Sequence, residues 1–598
     1  MIFSLFVGTL ALGLLMAPGW LLAARRRIPW PALVGFIGGA VLLENIVLLL
    51  DATGLGLSLR TLGVAWGAVL IAAVVAARHR GPAGAAFGPA PGWRENWMFW
   101  LPIIPVLAAV SYRAIAHPLF GVDTFFRWNR LATLMFTQHT LAFYPPVTPA
   151  DYAQYAWPDG IPPTVSTLYL GAYLVAGAIR PQVTAPIVLA QYLLLLVAVY
   201  ALARREFGAR AGAFACVLVA GTPMIAWATC MGQETGLTAL SLTALLYYLP
   251  HDRQEERPGL VVAAALAAGL GALAREYALV FPLLGLGVGL ARRLSLRSLT
   301  LFATVALAVV APWYLRNWVR TGNPLFNHPL TGWFPVNEAQ VVLIQTYREI
   351  YGIARQWNAN WGSLPCNCWA ALGGGFLGAL WHFRQARALV LSAGVVIGLW
   401  VLSVSYTGAG FTSSLRVLSP ALALGAVLGG AVCARWIPGR RLLAGAILAL
   451  TFVGFDSALR ALVLPADPYR MRPAAWFQAD HFLEVYRHRP LYREIALRAA
   501  GSRVLVHSLH TELATQGARV VPVWSPDVAF LFDPQVGFDA AARRLRALGI
   551  DYVAVQTDWI NQRYLMKSRF FREAPAARLH LLVDTGDLEF FVILPDTP

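Results

Sequence analysis

Residues 117–135 read HPLFGVDTFFRWNRLATLM and set Asp123 beside Phe125, Phe126, Arg127, Trp128 and Arg130, directly behind an apolar run that ends at Ala116. A carboxylate in water or at a cavity mouth stays ionised and can accept a proton from a hydroxyl, so Asp123 is a candidate general base. The same residue could instead cap the helix expected over TFFRWNRLATLMF. Aspartate is a favoured N-cap, and Phe125, Trp128 and Leu131 share one helical face. Spacing alone leaves both readings open.

Guanidinium groups keep their charge and offer paired donors to phosphate oxygens. Arg127, Arg130, Arg275, Arg316, Arg320 and Arg416 are therefore candidates for holding an anion near Asp123. A lone arginine at a membrane edge commonly snorkels, and Arg127 and Arg320 are read that way. Arg275 stands apart: in LGALAREYALVF it lies between two apolar runs with hardly any loop, so Arg275, Glu276 and Tyr277 need a partner or a purpose there. Glu234 in CMGQETGL begins an apolar run, where it could meet Arg275 or contact a ligand. Glu44 and Asp456 read as bundle hydrogen-bonding groups, Asp456 with Arg460 four residues on. No Walker loop, His-Glu-x-x-His or Gly-x-Ser-x-Gly occurs, so P-loop, zinc-protease and serine-hydrolase chemistry have no support. Five cysteines are too few for a disulfide scaffold, and Cys366 and Cys368 in PCNCW have no nearby His pair to complete a metal site.

The elements that must position these residues are apolar. Of 598 residues, 58% are hydrophobic and 13% charged, with a mean hydropathy of +0.59; soluble domains carry about a quarter charged residues. Apolar runs recur from Ile2 to about Val463, predicting about 13–14 spans, and ordinary charge density begins near Pro465. The net charge of +17 resides in short arginine clusters between apolar runs, as cytoplasmic loops require, which argues against nucleic acid as a partner. The first apolar run precedes Arg25, Arg26 and Arg27 and lacks a basic start, which suits a retained helix with an external N-terminus.

With the clusters inside, residues 1–95 form leading spans and a cytoplasmic loop with a Gly/Pro/Ala connector at 81–92. Residues 96–465 form a core with external loops at 117–181 and 317–365, and 466–598 form a soluble domain on the same side. Residues 161–179 are apolar but would invert the later clusters as a full span, so they are expected to lie at the outer surface or dip part-way in. In the last domain, SRVLVHSL and DYVAVQT read as strands, FDAAARRLRALG as a helix and LHLLVDTGDLEFFVIL as a hairpin turning at Gly586 and Asp587. The fold class is thus mainly α, a polytopic helix bundle with a small C-terminal α/β domain that has no catalytic signature of its own.

Several stretches occur in a telling order: Asp123 in the first large external loop, WPDGIPPTVSTLYLGAYLVAG after it, LARREFGARAGAFA, APWYLRNWVRTGNPLF at 311–326 and SSLRVLSPALAL at 413–424. Over about residues 95–465 the chain resembles the GT-C glycosyltransferases, especially bacterial relatives of protein O-mannosyltransferases and of the lipid A aminoarabinose transferase. That resemblance implies a polyprenyl-phosphate-linked sugar donor, a lipid, glycan or protein acceptor, and inverting transfer at the extracytoplasmic face of a bacterial inner membrane. Asp123 would be the base; Arg275, Arg316, Arg416 and Arg130 would bind the donor phosphate; Glu234, Tyr277 and Asp159 would contact sugar or acceptor. Thr124 stands where many relatives carry a second acid. No cofactor is implied with certainty, and a divalent cation is left open. Two rival readings remain: a polymerase or ligase using diphosphate-linked glycans, and a transporter or flippase.

Overall fold

The computed structural model describes residues 1–78, 97–116, 118–119, 123–329, 332–351, 363–403, 414–437, 440–463, 495, 497–507, 517–556, 559–575, 578–584 and 588–595. The connector at 81–92 and the hairpin turn at Gly586 and Asp587 lie outside them, as do the side chains of Phe125, Cys366 and Arg460.

Each predicted apolar segment coincides with helix. The chain opens with α1 (Ile2–Arg25), α2 (Pro31–Ala52), α3 (Leu59–Arg78) and α4 (Trp100–Ala116). Among the described residues, six helices are long and apolar enough to cross a bilayer, seven if one bent pair counts as a span; other apolar helices, such as Trp100–Ala116, are shorter. The 24 residues of α1, at about 1.5 Å per residue, exceed the ~30 Å of bilayer hydrocarbon. It presents Phe3, Phe6 and Leu10 outward, whereas α2 is enclosed by α1 and by two later helices.

Behind α4 the chain makes a single π-helical turn (Thr124–Asn129) that runs into α5 (Arg130–Gln138), then α6 (Pro149–Gln154) and α7 (Thr164–Ala176). Within the segment 161–179, Thr164 through Leu170 are all buried, and α7 packs against α1, α2 and α5. Its thirteen residues are too few for a full span. At its start the Thr164 hydroxyl donates to Glu44 Oε2 of α2, the bundle role expected of that acid.

Next come α8 (Ala185–Phe207), α9 (Ala209–Ala220) and α10 (Pro223–Cys230), the last two bent by 67°. Pro223 follows the break and lacks an N–H to continue the helix, and the Thr222 hydroxyl donates to the Leu218 carbonyl at 2.7 Å. The break lets residues 231–234 pass through the interior before α11 (Thr235–Tyr248) begins. Gly232 is required there, because its φ is +70° and a Cβ would lie 2.7 Å from both Leu119 and the Tyr169 hydroxyl.

The body continues through α12 (Pro258–Ala274), α13 (Val280–Ala291), α14 (Leu296–Thr321) and α15 (Glu338–Tyr351). Helices Ser363–His382 and Ser419–Trp436 meet at small residues, where a Cβ on Gly375 would approach the Gly425 Cα to 2.6 Å. This contact fixes the 3₁₀ turn Leu415–Leu418 that starts the second helix and carries Arg416.

The C-terminal domain is a five-stranded sheet of β1 (Arg503–His507), β2 (Arg519–Pro522), β3 (Ile550–Gln556), β4 (Leu579–Asp584) and β5 (Leu588–Ile593), in the order β2-β1-β3-β5-β4. The β2-β1-β3 side is parallel and the β3-β5-β4 side antiparallel. The strands, helix (Phe538–Ala547) and hairpin read from sequence are present; β2, a short edge strand ending in proline, and helix Trp559–Leu565 were not anticipated. The domain packs on the segments around Tyr152, Trp157 and Asn337. Asn337 donates to the Trp524 carbonyl (2.7 Å) and the Tyr152 hydroxyl (3.1 Å), Tyr564 donates to the Ala339 carbonyl (3.1 Å), and the Trp157 and Trp524 rings meet edge-on at 4.9 Å.

Candidate active site

Asp123 opens the π-helical turn, yet its side chain makes no capping bond. It pairs with Arg416, which comes from the far end of the chain. The capping alternative is therefore corrected: the carboxylate faces away from its own helix, toward another one. Arg416 uses its second amino group on Gln233 Oε1. The loop is held against the 231–234 passage by the Thr124 hydroxyl, which donates to the Met231 carbonyl at 2.8 Å. Thr124, where a second acid might have stood, is thus a buried tether.

Around this pair stand two more arginines. Arg275, at the end of α12, lies 3.5 Å from Glu234 and 3.3 Å from Glu276. The partner required by its position is Glu234, as the sequence suggested, together with its neighbour Glu276. Tyr277 donates to the Thr238 hydroxyl at 3.0 Å, beside Glu234. Arg127 is ion-paired with Asp159 and packs over Phe126 and Trp128. Burial alone would raise the Asp123 carboxyl, but Arg416, then Arg127 and Arg275, outweigh it and hold it down at about 2. Asp123 is ionised at any physiological pH.

Asp159 is placed differently from its expected role against sugar or acceptor. Besides Arg127 it accepts hydrogen bonds from Tyr144 (2.9 Å) and Tyr155 (3.2 Å). Burial raises its pKa in spite of Arg127, and burial next to Asp159 pushes both phenols well above their usual value, so they remain donors. This network seals the loop and leaves little of the carboxylate for a ligand. Arg127 and Arg320 do not snorkel: Arg320 pairs with Asp151 at 3.0 Å and donates to the Pro145 carbonyl. Arg316, expected at the donor phosphate, donates instead to the Tyr144 and Leu141 carbonyls and pairs with Asp51 of α2 at 3.2 Å. It clamps the leading helices to the loop. Arg130 opens α5 and is partly buried.

Sequence reasoning missed Gln233, the neighbour of a residue it chose, and the two tyrosines around Asp159. Among the described residues, no group of three or more His, Cys, Asp or Glu gathers to hold a metal. Asp123, Asp159 and Glu234 are each paired with an arginine.

Residues 162–315, about a quarter of the chain, match the family model described as dolichyl-phosphate-mannose-protein mannosyltransferase. The matched segment is similar to that family over this quarter of the chain. It runs from the start of α7 to α14 and so includes Gln233, Glu234, Arg275 and Tyr277. No curated protein matches the chain. Among solved structures, ArnT from Cupriavidus metallidurans bound to undecaprenyl phosphate has a TM-score of 0.48 at 16% identity, covering 85% of this chain and 99% of that one. The Archaeoglobus fulgidus oligosaccharyltransferase has a TM-score of 0.48 at 13% identity, covering 80% and 72%. Mycobacterial arabinofuranosyltransferase AftD has a TM-score of 0.45 at 15% identity, covering 84% and 42%.

Proposed function

We propose that this membrane protein is an inverting glycosyltransferase that moves a sugar from a polyprenyl-phosphate donor to an acceptor hydroxyl at the extracytoplasmic face of a bacterial inner membrane. The observation that carries this reading is an ionised Asp123 surrounded by Arg416, Arg127 and Arg275, brought together from three separate segments. Asp123 takes the proton of the acceptor hydroxyl as its oxygen attacks the anomeric carbon. The bond from that carbon to the phosphate oxygen breaks, and the polyprenyl phosphate leaves with the electron pair. Arg416 and Arg275 stabilise the charge that grows on the departing phosphate, which is where preorganised donors accelerate a reaction. Glu234 and Tyr277 lie beside Arg275 and Arg416, within reach of sugar hydroxyls on the donor side. Arg127, Asp159 and Arg316 support the loop rather than touch the reacting atoms.

A carboxylate held at about 2 is a weak base while Arg416 sits on it. A donor phosphate competes for the same guanidinium, so donor binding itself raises the basicity of Asp123. The test is release of lipid phosphate from radiolabelled polyprenyl-phosphate sugars in membrane extracts that contain native acceptors. Release that depends on Asp123 supports the reading, and release that survives Asp123→Asn assigns the chemistry to a polymerase or ligase instead.

A further inference from the structure

Gln233 is fully buried in the passage between α10 and α11. Its Oε1 accepts from Arg416 while the other Arg416 amino group rests on Asp123, so the guanidinium bridges a neutral amide and a carboxylate. Gln233 Nε2 has no hydrogen-bond partner among the described residues, and neither does the buried Thr235 hydroxyl two residues on. The buried Ser419 hydroxyl, about one helical turn past Arg416, is also unpartnered. Buried donors without acceptors are costly unless a ligand supplies the acceptor. An oxygen-rich anion beside Arg416 would do so.

We propose that Gln233 is a positioning residue: it holds one arm of Arg416 so that the other arm can pass from Asp123 to the donor phosphate, freeing Asp123 to take the acceptor proton. This rests on the transferase reading above. The groups facing Asp123 are Arg416, Arg127 and Arg275; those facing Arg416 are Asp123, Glu234 and Arg127, with Tyr277 alongside. When Arg416 shifts to the phosphate, burial gains weight against the two remaining arginines and Asp123 becomes more basic. A neutral amide suits this exchange. A carboxylate at position 233 would attract Arg416 for itself and compete with both Asp123 and the phosphate.

The experiment uses the full chain in lipid nanodiscs with two readouts: binding of undecaprenyl phosphate against undecaprenol, and the pH dependence of kcat for lipid-phosphate release. Wild type is expected to prefer the phosphate. Q233A should bind it about tenfold more weakly with the alcohol unchanged, as expected from loosening one charged hydrogen bond, and Q233N should recover part of the loss. Q233E should move the acid limb of kcat upward by about one pH unit, an effect of added local charge that general loss of structure does not produce. Q233A and Q233N binding the phosphate like wild type, with the Q233E limb unmoved and melting temperatures equal, would overturn the proposal. Wild type that prefers the phosphate lipid but transfers nothing sinks the transferase reading alone, and the binding series then decides the role of Gln233. A wild type that does not distinguish phosphate from alcohol overturns both.

Discussion

Asp123 and Asp159, carried by one loop, form two aspartate–arginine pairs of the same chemical kind in opposite settings. The Asp159–Arg127 pair is sealed, with 11% of each side chain exposed, and two tyrosine hydroxyls complete the carboxylate's shell. The Asp123–Arg416 pair is open, with 27% of the aspartate and 16% of the arginine exposed, and its arginine is shared with an amide. A sealed pair costs much to disturb and offers nothing to a substrate; an open pair can exchange partners. Residue type therefore does not separate catalytic from structural acids here, whereas the completeness of the hydrogen-bond shell does.

Breaking the sealed pair should have the largest effect on stability. Asp159→Ala leaves Arg127 buried and uncompensated, a loss of about 3–5 kcal/mol, seen as failure to fold or a much lower melting temperature in detergent. A wild-type-like melt would show that the two pairs do not differ as described. Next, Arg416→Ala should lower kcat/KM about 100-fold, the scale of one transition-state donor, while the melt shifts little. Arg416→Lys should fail to restore activity, because an ammonium cannot bridge an amide and a carboxylate in one plane.

Acid separates the regions again. Asp123 stays ionised down to about pH 2, so its pair persists at pH 5. His507 of β1 behaves oppositely: burial against Trp524 and Tyr564 holds its pKa well below the usual histidine value, at about 3. A depressed histidine means the neutral form is the folded one, so stability present above the ordinary histidine range of about 6.5 is lost progressively as pH falls toward about 3. At pH 5 the C-terminal domain should be weaker by about 2 kcal/mol, read as faster proteolysis of that domain, and His507→Leu should remove the pH dependence. The smallest effect belongs to Tyr144→Phe, which removes one bond to the sealed carboxylate. It should cost about 1.5 kcal/mol of stability with turnover per folded molecule unchanged.

The helices were legible because apolar runs of membrane length have few other fates, and the Arg275–Glu234 meeting was legible because both residues stand at helix ends on one side. The pairing of Asp123 with Arg416, 293 residues away, was not, since no local pattern encodes which helix ends converge. The same blindness put Arg316 at the phosphate. Its charge and position fitted, but Asp51 and two loop carbonyls claim it in three dimensions. For α7 the composition does not reveal its neighbours, and the Thr164 bond to Glu44 shows that it docks on α2. The tethers Thr124 and Gln233 carry no sequence signal beyond adjacency to charged residues.

The most direct measurement is lipid-phosphate release from a panel of radiolabelled polyprenyl-phosphate sugars by wild type and Asp123→Asn, with matched melting temperatures. Release by wild type from at least one sugar, reduced by about 10²–10⁴-fold in the variant, is the predicted result. Equal release from both proteins, or none from a folded wild type supplied with native acceptors, would contradict Asp123 as the base of a polyprenyl-phosphate glycosyltransferase.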